Sequence, residues 1–225
     1  MVLSLSDPFT LFLFVAASVL MVGYAAGRWV NRRRAQRISA WLEPGLRSIG
    51  GKPAAQRLSL SAFRFKTVDA NHPFSTVTAT VVLISREALP TWLWERLHGR
   101  RDVLVWHVTW RQLPTLEAEI LDPSSELGRR GETQARRLGW VATELAGGRR
   151  SYGPPDGAPA RLQALAGELA RCPVDAWRLA VRSNAPHVLL SMPVPDLVQL
   201  RSKELIELLS RLSKVCHSGG GDASL

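Results

Sequence analysis

Two side chains in this sequence have the types and relative placement for acid–base work, His107 and Glu119. A carboxylate across from an imidazole favours the charged ring and poises it for proton transfer or pH sensing. The pairing follows from a hairpin test. With Gln112, Leu113 and Pro114 as the loop between residues 102–111 and 115–121, Trp110/Leu116, Val108/Ala118 and Trp106/Ile120 fall on one strand face. His107 then lies opposite Glu119, and Thr109 opposite Glu117, on the other face. A slip by one residue destroys this sorting, so the register is well specified. The plainer account of the same residues is a solvated strand face, where an imidazole–carboxylate pair contributes little.

Other chemistry lacks its signature. His72, His98, His187 and His217 are scattered, and Cys172 and Cys216 form no C-x-x-C, so neither a metal nor another cofactor is expected. Cys172, on the apolar stripe of an expected helix, reads as a small core residue. There is no G-x-S-x-G elbow, no Walker loop and no G-x-G-x-x-G; Gly128-Arg129-Arg130-Gly131 has the wrong spacing. No stretch carries the motif set of a known family.

The charge distribution is more telling. The 225 residues carry a formal net charge of +10, but residues 1–27 account for −1, residues 28–66 for +9 and residues 67–225 for only +2. Nucleic acid is therefore disfavoured as a partner of the larger part, despite its arginine doublets. The excess sits directly after residues 8–27, which contain no charge. Twenty helical residues at about 1.5 Å each match the roughly 30 Å hydrocarbon core of a bilayer. Trp29 suits the headgroup level, and Arg28, Arg32, Arg33, Arg34 and Arg37 follow at once. By the positive-inside rule, residues 1–7 are extracytoplasmic and the rest is cytoplasmic. A cleaved signal peptide would carry its positive charge before the apolar run.

The arginines, Trp29 and Trp41 are expected to contact a bilayer with anionic headgroups, each basic side chain contributing about 1 kcal/mol. An equal reading is that the arginines do no more than set topology, so both stand. Pro44, Gly45, Gly50, Gly51 and Pro53 predict a short interfacial helix giving way to a linker over 28–56.

The elements expected beyond residue 57 are those of an α+β domain over 57–216, followed by a loose tail over 217–225. Strands are predicted at 58–68, 75–86, 102–111, 115–121 and on either side of a hairpin loop at 183–186. In that second hairpin Val181 faces Val188, Leu179 faces Leu190 and Trp177 faces Met192. Helices are predicted at 90–98, 132–146, 160–172 and 196–215, with 147–159 as a loop. The result is a mostly antiparallel sheet of about six strands covered by three or four helices. In the helix at 90–98, Trp92 is expected in the core, whereas Trp94 falls beside the apolar stripe and is left to contact a partner or the membrane.

The favoured function is thus a membrane-tethered cytoplasmic interaction or scaffold module, with a protein partner or a second copy of the chain. The alternatives are a membrane-anchored enzyme using the His107/Glu119 face and a tether for anionic polymers.

Overall fold

A computed structural model describes residues 8–171 and 175–218. The readings of residues 1–7, of Cys172 and of the tail beyond Ser218 lie outside the described residues. The fold is α+β, with a long N-terminal apolar helix and one large antiparallel sheet. Its elements are α1 (Pro8–Ser48), β1 (Ala54–Arg57), β2 (Ala62–Val68), β3 (Phe74–Val82), α2 (Leu89–Leu97), β4 (Val103–Trp110), β5 (Ala118–Leu121), α3 (Glu126–Arg137), β6 (Val141–Glu144), β7 (Arg150–Gly153), α4 (Pro159–Ala170), β8 (Arg178–Val181), β9 (Val188–Pro193) and α5 (Ser202–His217).

The sheet has nine strands in the order β1-β2-β3-β4-β9-β8-β5-β7-β6. Three strands exceed the sequence expectation. β1 lies where a linker is expected, β6 where the expected helix should continue, and β7 inside the expected loop. The reason for β6 is visible in Gly139, which adopts φ +70° and lets the chain leave α3 in the left-handed region that only glycine enters at low cost. α3 therefore ends at Arg137, and Val141–Glu144 pairs with β7.

The C-terminal hairpin has the expected register, with Leu179 opposite Leu190 and Val181 opposite Val188. The other hairpin does not form. β9 and β8 are inserted between β4 and β5, so β4 pairs with β9 and β5 with β8. The expected rows survive nonetheless. Trp106, Leu190, Leu179 and Ile120 stand in one row across the four strands, and Val108, Val188, Val181 and Ala118 in another. An antiparallel hairpin inserted between two antiparallel strands preserves the direction of both and the face of every side chain. The segment that leads into β5 is held by a contact distant in sequence. Thr115 donates its backbone N–H (3.1 Å) and its hydroxyl (3.0 Å) to the carbonyl of Cys216, one of the last carbonyls of α5 without a helical partner. The chain after β4 therefore reaches for α5 instead of folding back on β4.

One face of the sheet carries the main core. Trp106, Trp110, Val77, Val81, Leu179 and Leu190 pack there against Leu205, Leu209 and Leu212 of α5, Leu165 and Leu169 of α4, and Ile38, Leu42 and Leu46 of α1. The other face is covered only at one end. There α3 closes over β5, β7 and β8, with Leu121, Ala135 and Tyr152 forming a small second core beside Trp140. Over β2, β3 and β4 that face is left open.

Candidate membrane-interface site

α1 is one helix of 41 residues, about 60 Å long at the usual rise, and contains both the apolar run and the basic segment. It is the one helix among the described residues long and apolar enough to cross a membrane, and its apolar window is entirely unburied. Contrary to expectation, Pro44 and Gly45 do not end it. The stop comes at Gly50 and Gly51, both with positive φ (77° and 75°). The expected linker is thus, through Ser48, a docked helix.

What docks it is a single stripe of buried positions, Gly27, Asn31, Ile38, Leu42, Gly45 and Leu46. Successive spacings of four, seven, four and three, with Leu46 four beyond Leu42, put them along one side of the helix. The lower part of the stripe packs on α5 and the segment before it. Gly45 donates its N–H to the Ser202 hydroxyl (3.1 Å), and the Trp41 indole donates to the carbonyl of Leu200 (2.6 Å). Trp41 is therefore a domain contact, half-buried against the core.

The upper part of the stripe seats the connection between β3 and α2. Asn31, buried, donates to the carbonyl of Ile84 (3.0 Å) and to the Glu87 carboxylate (2.9 Å), and its own oxygen accepts from Arg86 (2.7 Å). At Gly27 a Cβ would stand 1.9 Å from the carbonyl oxygen of Arg86, so only glycine permits this approach. At Gly23 a Cβ would stand 2.1 Å from Cδ1 of Leu89. Gly23, Gly27 and Asn31 thus make a small-residue groove at i, i+4 and i+8, into which residues 84–89 are laid.

Asp102 ties the joint together. Its buried carboxylate accepts from the N–H of Ile84 (2.8 Å), pairs with Arg86 (3.2 Å) and forms an ion pair with Arg34. Arg34 is therefore engaged within the protein. Arg28, Arg32, Arg33 and Arg37 are exposed and form no ion pair among the described residues; Arg33 stacks over Trp29 at 4.1 Å. Beside the joint lies a cleft of about 500 Å³, whose lining includes Arg34, Arg86, Arg96, Arg101 and Asp102. Arg96 and Arg101 are in no ion pair among the described residues, which leaves two guanidinium groups able to meet a phosphate.

α2 itself has no buried residue. Trp92 is only half-buried, against the expectation of a core position, because α2 leans on α1 and not on the sheet. Leu93, Trp94 and Leu97 are 53%, 65% and 74% exposed.

The structure separates the expected acid–base pair. His107 and Glu119 share a row and a face, through Leu189 and Ala180, but β9 and β8 stand between their strands. Three strand spacings of about 4.8 Å put their backbones roughly 14 Å apart. The surroundings also differ from those expected. His107 is pushed below the usual imidazole range, first by burial and then by the charge of Arg64, so the neutral ring is favoured. Glu119 is fully buried between Arg178 (2.5 Å) and Arg182 (2.5 Å), beneath Gly131 of α3, whose missing Cβ leaves room for the carboxylate. Arg182 in turn stacks on Trp140 at 4.3 Å. Such a triad joins β5 to β8 and its end, and Arg178 also donates to Gln134 of α3 (2.8 Å); the carboxylate has no open side. Glu117 accepts from the N–H and hydroxyl of Ser183 (2.9 and 2.6 Å), which hold its carboxyl below the ordinary range.

No group of histidine, cysteine and carboxylate side chains able to hold a metal occurs among the described residues. Cys216 is buried in the core, and burial pushes its thiol up to about 12, so it is a packing residue and not a nucleophile. The glycine groove at Gly23 and Gly27 and the joint at Asn31 and Asp102 are the features that sequence reasoning missed. Their signal was the i, i+4, i+8 spacing of Gly23, Gly27 and Asn31. No family model matches the chain, and a search of curated proteins finds no relative.

Proposed function

We propose that this chain is a single-pass membrane protein whose α1 crosses the bilayer with its N-terminus on the outer side, and that the α+β domain is a cytoplasmic interaction module held at a set height and angle. The observation that carries this reading is the continuity of α1, which runs unbroken from the exposed apolar run into the core. A tether made for reach would be a flexible linker, whose end-to-end distance fluctuates. A helix anchored by Asn31, Trp41 and Gly45 transmits orientation instead. The excess of arginine just beyond the apolar run favours the cytoplasmic side for the domain.

The surface offered to a protein partner or a second copy is the open face over β2, β3 and β4. It carries Thr76, Thr78, Thr80 and Thr109 in adjacent rows, with His107 next to Thr78 and Arg64 next to Thr80. Threonine and valine on a face without a covering helix form a flat, mildly polar surface suited to a reversible contact.

Both parts are tested in membranes of cells expressing the full chain. Reporter fusions after Ser48 and at the C-terminus should report a cytoplasmic location, and an external location overturns the orientation. A photo-crosslinking side chain at Thr78 should give one discrete adduct, which the added substitution Thr80→Arg on the same face abolishes. A crosslinker at Val198, which is more exposed but lies off this face, serves as the control. Adducts of equal yield at both positions overturn the proposed surface.

A further inference from the structure

The connection between β3 and β4 climbs α1 toward its apolar half. Ile84 is held at Asn31, the backbone of Arg86 lies on Gly27, and Leu89, the first residue of α2, lies on Gly23. Gly23 precedes Arg28, the first basic residue, by five positions, or about 7.5 Å along the helix. After α2 the chain returns through Arg100 and Arg101 to Asp102, which pairs with Arg34. The start of α2 is thus carried past the level of the first arginine and alongside the uncharged run.

The exposed side of α2 matches that position. Leu93, Trp94 and Leu97 sit at i, i+1 and i+4, on one side of the helix, and are the most concentrated exposed apolar residues of the folded domain. Its one acidic residue, Glu95, is neutralised by Arg100 at 3.0 Å, while Arg96 and Arg101 are left for headgroups. Apolar residues on one side with arginines beside them are the composition of helices that lie about 5–10 Å into the headgroup and acyl boundary. Leu89, where α2 begins, lies at Gly23, about 7.5 Å beyond Arg28 along α1, which falls in that range.

We infer that α2 is a second membrane contact, an interfacial helix whose Leu93, Trp94 and Leu97 enter the acyl boundary of the leaflet from which α1 emerges. This rests on the reading that α1 spans the bilayer. With α1 it makes a two-point attachment that restricts the tilt of α1 and its roll about its own axis, so the open face of the sheet keeps one inclination to the membrane.

The test is depth measurement by spin labelling. Full-length protein with Cys172→Ser and Cys216→Ala is reconstituted into vesicles of phosphatidylcholine with a minority of phosphatidylglycerol. A nitroxide is placed singly at Trp94→Cys, at Leu97→Cys as a second reporter, and at two references, Val19→Cys in the apolar run and Thr78→Cys on the open face. The expected result is accessibility to oxygen over a water-soluble nickel complex that places the labels at 94 and 97 about 5–10 Å below the phosphates, with 19 deeper and 78 in water. Labels at 94 and 97 in water while 19 is in lipid overturn the inference about α2 and leave the spanning reading intact. A label at 19 in water overturns the spanning reading and the inference with it.

Discussion

Replacing Gly27 by alanine tests whether the basic half of α1 is a docked rod or a free linker. Glycine inside a helix costs roughly 0.5–1 kcal/mol relative to alanine, so on a free helix Gly27→Ala is stabilising. Here the added Cβ stands 1.9 Å from the Arg86 carbonyl oxygen and 2.7 Å from the Glu87 nitrogen. Carbon and carbonyl oxygen come no closer than about 3.3 Å, so α1 and residues 84–87 must separate by about 1.4 Å. That displacement takes Asn31 out of hydrogen-bond range of Ile84 (now 3.0 Å), Glu87 (2.9 Å) and Arg86 (2.7 Å). Three bonds at about 1 kcal/mol each, against a propensity gain of up to about 1, leave a net loss of about 2–3 kcal/mol, to which any unrelieved overpacking adds. Two further glycines calibrate it. Gly167 of α4 has open space around it, and Gly167→Ala should stabilise by up to about 1 kcal/mol. Gly23→Ala meets only the side chain of Leu89, which can rotate, so its effect falls between the two. The assay is urea unfolding of the full chain in detergent, followed by near-UV circular dichroism, which reports the packed tryptophans. If Gly27→Ala is as stable as Gly167→Ala, the seat on α1 does not exist and the continuous-rod argument fails.

Glu119→Gln leaves Arg178 and Arg182 facing a neutral amide in a buried site, and should destabilise the domain by about 3–5 kcal/mol in the same assay, as broken buried ion pairs do; a change below about 1 kcal/mol would mean that water reaches the triad. Thermal unfolding should also depend on pH. His187 accepts the N–H of Trp110 at 3.1 Å, and burial followed by the charge of His217 holds its ring below the usual range, as burial and Arg64 do for His107. Rings with depressed folded values bind fewer protons than the unfolded chain, so their contribution is complete above the unfolded value of about 6.5 and declines as the pH falls below it. Tm should therefore drop from pH 7 to pH 5, and less so in a His187→Gln variant. Finally, in a Cys172→Ser background Cys216 should react with a maleimide only as fast as the domain opens; labelling within minutes in native buffer would contradict its place in the core.

The rows of the sheet were readable because they rest on a period of two. Pairing Trp106 with Ile120 and Val108 with Ala118 sorts apolar from polar whether the strands touch or are separated by another antiparallel hairpin. That same indifference is why adjacency was not readable, and why His107 and Glu119 looked like partners. The hairpin at 183–186 was legible in its pairs Leu179/Leu190 and Val181/Val188 because its loop closes it locally, but not in the third, since Trp177 donates its N–H to the carbonyl of Ser191 and is not paired with Met192.

The apolar run and the arginines after it are written into the sequence, since length and charge placement depend on no other part of the chain. So are the α+β class and the alternation of the strand faces. Tertiary structure alone decided that α1 continues to Ser48, that Trp41 serves the domain, and that α2 lies beside Gly23. The physical reason is the same in each case. A glycine can mark a flexible linker or a seat for another backbone, and a tryptophan can face lipid or a carbonyl. Which one holds depends on what a segment distant in sequence brings against it.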